Sequence, residues 1–359
     1  MLISELVEML DVIAPPALAD EGDPIGLQVG DPSGEARRVC VAVDASGPVI
    51  DLALARGADV LVAHHPLIYT PLRSLSAGDP VVEQALKLVR AGAALFVLHT
   101  NYDTVPGGIN DALAAKLGVI DTTPLTNRKQ DRLYKVVVFV PSEAVEGVRD
   151  AMAAAGAGVI GQYTHCSFRA PGFGSFTPHA GANPYVGSAG RLEEVEEFRL
   201  EMVCAHSRLD RVVSGMRAAH PYEEVAYDLY ELANEPLRFG YGRVGSLERD
   251  TTVAEFAQKV REALALEHVK TTGDPNRMVR TIAVLGGGGS SLYREAAHAG
   301  AEVFVTGDVK HHDALNANAL GVAVIDAGHF ETERPGMQAL AERLTTSLAA
   351  LGVEVEYVE

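Results

Sequence analysis

His64 and His65 close the apolar run LVAHHPLIY (61–69), and Pro66 follows at once. Two imidazoles at the end of a hydrophobic run are hard to explain as packing, and imidazole is the side chain most often used to bind metals. Three more segments share the form: HTNYD (99–103), TGDVKHHD (306–313) and DAGHFETE (326–333). Each places His or Asp just past a β-rich apolar run. His329 and Glu333 are four apart at the start of a helical stretch, so they share one helical face. His64 and His65 are adjacent, and a strand end can send them to different ions. Imidazole with carboxylate suits zinc, iron, manganese or nickel. Few ligands for two ions require one carboxylate to bridge. Bridged ions sit about 3.5–4 Å apart in two-metal hydrolytic sites, where they activate water and clamp a developing oxyanion. Ligating imidazoles also need their second ring nitrogen anchored; Asp308, Asp313 and Asp326 are nearby in sequence. Each feature has an ordinary explanation on its own. A strand-end histidine such as His99 can brace a loop, and a His–Glu pair on a helix can be a surface pair. The weight lies in four such segments at one expected sheet edge.

The elements that must position them follow from the apolar pattern. RRVCVAVDAS (37–46), DVLVAHHP and ALFVLHTNYD predict strands, while PVIDLALARGA, VVEQALKLVRAG and GGINDALAAKLG predict helices. This alternation predicts a largely parallel sheet with helices on its faces. Ligands bind at the carboxyl ends of such strands. Asp103 is expected in a loop after its strand. Near residue 125 the character changes. RLYKVVVFVP, SEAVEGVRDAMAAAG, a strand around VIGQYTHCSF, EEFRLEMVCAHS, DRVVSGMRAAH and EEVAYDLYEL predict the order β-α-β-β-α-β, the ferredoxin-like pattern. NEPLRFGYGR (234–243) reads as an exit linker, after which the α/β rhythm returns up to VEVEYVE. The expected division is an α/β lobe over 1–127, an inserted ferredoxin-like α+β domain over 128–236 and a second α/β lobe over 237–359.

The run LGGGGSSLYREA (285–296) is strand, glycines, serines, helix. It is no Walker A, because no GK[ST] follows, and it meets GxGxxG only loosely. Two readings stand: a tight turn packing helix on strand, or a cradle in which Ser290 and backbone amides hold an anionic part of a substrate. Gln28, in DPIGLQVGD (23–31), either faces the site or fixes a turn. HPYEEVAYDLY (220–230) carries a His and several acids but no catalytic argument, and reads as a surface edge strand. No apolar run reaches bilayer-crossing length. MLISELVEML has two glutamates and no basic region, unlike a secretory signal. Cys40, Cys166 and Cys204 form no CxxC, which fits a reducing cytoplasm. A formal net charge of -18 opposes nonspecific nucleic-acid binding. It also repels an anionic substrate, unless a local cation such as a metal ion captures it.

Taken together, GLQVG (26–30), AHHP (63–66), HTNYD, GGGGSS (286–291), TGDVKHHDA (306–314) and DAGHFETE resemble the NGG-interacting-factor-three-like dinuclear metal proteins, also named GTP cyclohydrolase I type 2 homologues. YTHCSF (163–168), GANPYVG (181–187) and AHPYEEVAYDLY (219–230) are similar to the extra domain of that family's long members, a domain like the trimer-forming PII and CutA proteins. The resemblance implies two similar α/β lobes flanking a metal cleft, and a toroidal homohexamer built as a trimer of dimers. It implies two divalent ions, with His65 and Asp103 on one, His64 and His329 on the other, and Glu333 bridging. The family name implies GTP as substrate, with water attacking C8 of the purine, the ring opening and formate leaving. His312 or Asp308 would handle protons, and His99, Gln28 and Ser290 would lie behind the ligands or against the substrate. One departure is Pro24, where many members carry Asn. A nucleotide phosphoesterase is the nearest enzymatic alternative, since two-metal sites suit in-line displacement. A non-enzymatic metal-binding regulatory or interaction module is the alternative outside enzymes.

Overall fold

A computed structural model describes residues 1–76, 78–161 and 163–359. The chain forms two compact units, one of Met1–Lys129 with Phe239–Glu359 and one of Gln130–Arg238. The larger is mixed α/β, with two sheets. In the first sheet the strands run in the order Gly26–Val29, Ala94–Val97, Val60–Ala63, Arg38–Ala42, Glu354–Tyr357. All neighbours are parallel except the edge strand Gly26–Val29. Val60–Ala63 and Ala94–Val97 are buried at every residue, as expected of parallel strands covered on both faces. Val60, Val62, Ala94 and Phe96 pack against Leu6, Leu10 and Leu344. Leu61, Ala63, Leu95 and Val97 face the other way, against Ile50, Ala53 and Leu88. The helix Pro80–Ala91 is set by its ends: Asp79 accepts hydrogen bonds from the amides of Val81 and Val82, and Gly92 closes it in a left-handed conformation.

The second sheet runs Lys270–Thr271, Ala323–Asp326, Val303–Gly307, Met278–Gly288, Arg243–Thr252, Val119–Pro124. Its parallel centre is the trio Met278–Gly288, Val303–Gly307 and Ala323–Asp326. The two sheets exchange strands. Val119–Pro124, from the first stretch of chain, joins the second sheet, and Glu354–Tyr357, from the last stretch, joins the first. The helix His329–Leu348 links them. It begins past the strand Ala323–Asp326, and its later residues Leu340, Leu344 and Leu348 enter the core under the first sheet. Gly336 lets this helix touch the helix Ile109–Leu117, since a Cβ there would lie 2.7 Å from the Ile109 backbone.

The smaller unit has the element order β-α-β-β-α-β and an antiparallel sheet in the order Tyr227–Glu231, Leu133–Pro141, Glu193–Ala205, Ser167–Phe176. Val136, Val138, Leu200 and Met202 pack on Val148, Met152, Val212 and Met216 from its two helices. The strand expected around VIGQYTHCSF is displaced. Only Ser167 and Phe168 of that stretch belong to it, and the strand continues through the Pro- and Gly-containing sequence to Phe176. Its thirteen-residue partner Glu193–Ala205 supplies a ladder long enough to hold it. Gln162, in the same stretch, lies outside the described residues. Among the described residues no helix is long and apolar enough to cross a membrane.

Candidate metal centre

All the principal candidates lie in the larger unit. His64 and His65 follow Ala63, where the buried strand ends, and their amides reach the carbonyl of Val43 on the neighbouring strand's exit. His99 follows the next strand over. Asp103 sits in a short helix, Thr100–Thr104, rather than the expected loop. The Tyr102 and Asp103 amides close its first turn onto the His99 carbonyl. His329 and Glu333 occupy the first two turns of the long helix, one above the other.

Four imidazoles are anchored in the same way. Nδ1 of His64 lies 2.8 Å from the Leu98 carbonyl, and Nδ1 of His65 lies 2.7 Å from Asp44 Oδ1. Nδ1 of His99 is 2.7 Å from Asp23 Oδ1, and Nδ1 of His329 is 2.6 Å from Asp308 Oδ2. A carbonyl or carboxylate only accepts, so each Nδ1 carries a hydrogen, and Nε2 is the nitrogen left to bind a metal once its own proton is gone. There, His65 Nε2 and His329 Nε2 are 3.3 Å apart. Glu333 lies among them, Oε2 at 3.3 Å from His65 Nε2 and Oε1 at 3.2 Å from His329 Nε2 and 3.6 Å from His64 Nε2. Asp103 Oδ1 is 3.6 Å from His64 Nε2. In this geometry His65 Nε2 lies beside His329 Nε2 and His64 Nε2 beside Asp103, whereas the expected pairing put His65 with Asp103 and His64 with His329.

The donor set fits metal ions. His64 Nε2, Asp103 Oδ1 and Glu333 Oε2 are buried and make no hydrogen bond, an arrangement that is costly without a cation. The facing Nε2 atoms of His65 and His329 call for positive charge between them, from protons or a metal ion. The ligand atoms of His65, His329 and Glu333 lie within 4.8 Å of one another, as do those of His64, His65 and His99. His99 thus stands beside the ligands. Without ions the cluster holds protons. Burial opposes charge on His65, but the Asp44 and Glu333 carboxylates outweigh it and raise its pKa to about 10. The bond to Glu333 carries His329 up to about 9. Burial pushes Asp103 up to about 6 against the pull of His64. Glu333 is held well below the usual carboxylate range by the imidazoles around it, despite its burial.

The glycine run sits against these ligands. Gly287 has φ +70°, and a Cβ there would run into Glu333 Oε1 and lie 3.1 Å from His329 Nε2. The amides of Gly286, Gly287 and Gly289 are taken by Asn110, Thr332 and Thr306, which favours the tight-turn reading over an anion cradle. Replacing Gly287 by Ala is expected to weaken metal binding by about ten- to a hundred-fold, the size of a disturbed supporting shell; competition against a chelating dye measures it.

The remaining candidates are placed as follows. Ser290 donates to Asp313 Oδ2 at 2.7 Å and accepts from the Lys310 amide, tying the glycine turn to the helix His311–Ala319. Gln28 bonds both backbone groups of Ile68 and the Pro24 carbonyl, bracing the loop after the histidine pair. Asp308, at φ +52°, turns its carboxylate onto His329. His312 is exposed on the first turn of its helix, its ring 5.4 Å from that of His311. Of the three acids expected to anchor imidazoles, Asp308 does so, whereas Asp313 holds Ser290 and Asp326 bonds the Gly328 amide. Asp44 and Asp23 are anchors that sequence reading missed. VAVDAS offers a signal for the first, an acid at the end of the neighbouring strand.

Comparison with known proteins gives a consistent result. The family model described as Duf34/NIF3 (NGG1p interacting factor 3) matches residues 1–359. A Bacillus subtilis (strain 168) protein described as a GTP cyclohydrolase 1 type 2 homolog is 40% identical over 342 residues, 95% of this chain and 91% of its own length. A Mycobacterium tuberculosis (strain ATCC 25618 / H37Rv) protein of the same description is 38% identical over 356 residues, 97% of this chain and 92% of its own. The crystal structure of a Bacillus cereus protein related to NIF3 matches with a TM-score of 0.83 at 37% identity, covering 100% of this chain and 97% of that one.

Proposed function

From the premise that this chain belongs to the Duf34/NIF3 family, we propose that it is a dinuclear metal-dependent hydrolase of the GTP cyclohydrolase type 2 kind. In this reading water opens the purine ring of a nucleotide and formate leaves. The observation that carries the proposal is the facing pair of His65 and His329 nitrogens, 3.3 Å apart, with Glu333 beside both. His64 and Asp103 would hold one divalent ion, His65 and His329 the other, and Glu333 would bridge. When bound, such a pair supplies Lewis acidity, lowering the pKa of water and stabilising negative charge as it develops. Zinc, iron, manganese and nickel all suit this ligand set.

The chain's own residues do the rest. Asp44, Asp308 and the Leu98 carbonyl fix the ligand tautomers. Asp23 turns His99 Nε2 toward the ligands, where it would position substrate. His312 is the group we assign to moving protons at the substrate, while Asp308 orients His329. We further assign the chain a homohexamer, a trimer of dimers, with the inserted unit as a PII/CutA-like domain. A reducing cytoplasm suits its free cysteines.

Incubating the metal-loaded protein with GTP tests the reaction. Formate release is the expected result. Inorganic phosphate instead would make the chain a phosphoesterase. No turnover across nucleotides at full metal occupancy would overturn the enzymatic reading in favour of a metal-binding module.

A further inference from the structure

The smaller unit contains a cavity of about 650 Å³, a size typical of small-molecule sites. Phe139, Glu197 and Arg199 on its wall alternate along their strands with Val138, Val140 and Leu200 of the core. The cavity therefore lies on the sheet face turned away from the helices. Its walls are rich in aromatic rings, and those of Tyr185 and Tyr222 approach to 5.9 Å.

Glu197 is only 8% exposed and lines the cavity. The one Lys, Arg or His on the wall among the described residues is Arg199. It pairs instead with Glu201, Nε to Oε1 at 2.8 Å, leaving Glu197 without a cation. Burial and the Glu197 carboxylate beside it push the Tyr222 phenol up, so its neutral hydroxyl leaves the charge on Glu197 unbalanced. The strand opposite leaves room for a guest. A Cβ at Gly174 would strike the Glu197 carboxylate, while Gly172, in register with Glu197, has open space beyond it. Glu223 and Glu224 add two more carboxylates.

A buried carboxylate without a cation is costly, and a paired cation relieves that cost. Aromatic faces attract cations and cover apolar bodies. An anionic guest meets repulsion from the three acids, and the one cation on the wall among the described residues, Arg199, is already paired with Glu201. We propose that this cavity binds an organic ammonium ion, a primary amine bearing an apolar body. Its head would sit on Glu197 and its body against Phe139, Tyr185 and Tyr222. This site shares no residue with the metal ligands, and the segment HPYEEVAYDLY supplies one of its walls.

Calorimetric titration of the full metal-loaded chain with phenethylamine tests it, with 2-phenylethanol and phenylacetate as neutral and anionic counterparts. The amine should bind saturably at one site per chain. The alcohol should bind at least about tenfold more weakly and the acid not at all. Glu197→Gln should weaken the amine by a similar factor. Gly172→Leu, whose Cβ would meet nothing within 4 Å, should block it even if Glu197→Gln disturbs folding. Equal binding of amine and alcohol, amine binding untouched by both substitutions, or no saturable binding at millimolar amine would each overturn the assignment.

Discussion

Replacing Glu333 by alanine is expected to strip both ions from the chain. Its two oxygens face three imidazoles at 3.2 to 3.6 Å, whereas Asp103, Asp44 and Asp308 each pair with only one of them. Without it each proposed ion keeps only two protein ligands, and the imidazoles lose the charge that balances a dication. Elemental analysis after dialysis should find less than one ion per chain. The thermal shift on adding metal should also vanish. For the wild-type chain, metal at a hundred times its dissociation constant adds about 2.7 kcal/mol. Two ions retained at unchanged affinity would show that the ligand assignment is wrong. Glu333→Gln separates charge from shape: it keeps the volume against Gly287 and should still lose most of the affinity.

Acidification is expected to release the ions steeply. In the ion-free chain His65 titrates at about 10 and His329 at about 9, both above the ordinary value of 6.5. At pH 7 each therefore holds a proton that a metal must displace. Calorimetry in buffers of differing ionisation enthalpy should report about two protons released per chain on loading. Below about pH 9 the apparent affinity should fall about tenfold per displaced proton for each pH unit. The ion-free protein shows the opposite dependence. The raised values contribute stability that is fully present below pH 6.5 and is lost as pH rises through 9 to 10. Binding with no proton release at pH 7 would contradict this protonation pattern.

The ligand-bearing segments are legible in the sequence because an apolar run fixes where a strand ends, and the end fixes which edge a side chain reaches. AHHP and HFETE are of that kind. The anchors Asp23 and Asp44 are not, since they depend on which strands become neighbours: Asp23 lies 76 residues from His99. The partition of His64 and His65 is equally hidden. Adjacent residues leaving a strand point to opposite sides, and the chain path, not the residue type, sends His64 inward to the Leu98 carbonyl. In the smaller unit the strand Ser167–Phe176 escapes sequence reading because Pro171, Gly172 and Gly174 argue against it. Pairing along Glu193–Ala205 overrides that preference. The strand exchange between the two sheets is likewise a matter of tertiary pairing, on which local periodicity is silent.

That exchange also bears on how a substrate could enter. With Glu354–Tyr357 laced into one layer and Val119–Pro124 into the other, swinging the two layers apart like jaws would strain or break ladder hydrogen bonds. The His329–Leu348 rod fastens both. Access through loop movement or a standing opening leaves those ladders whole, and the lacing resists any change in the separation between His64 and Glu333.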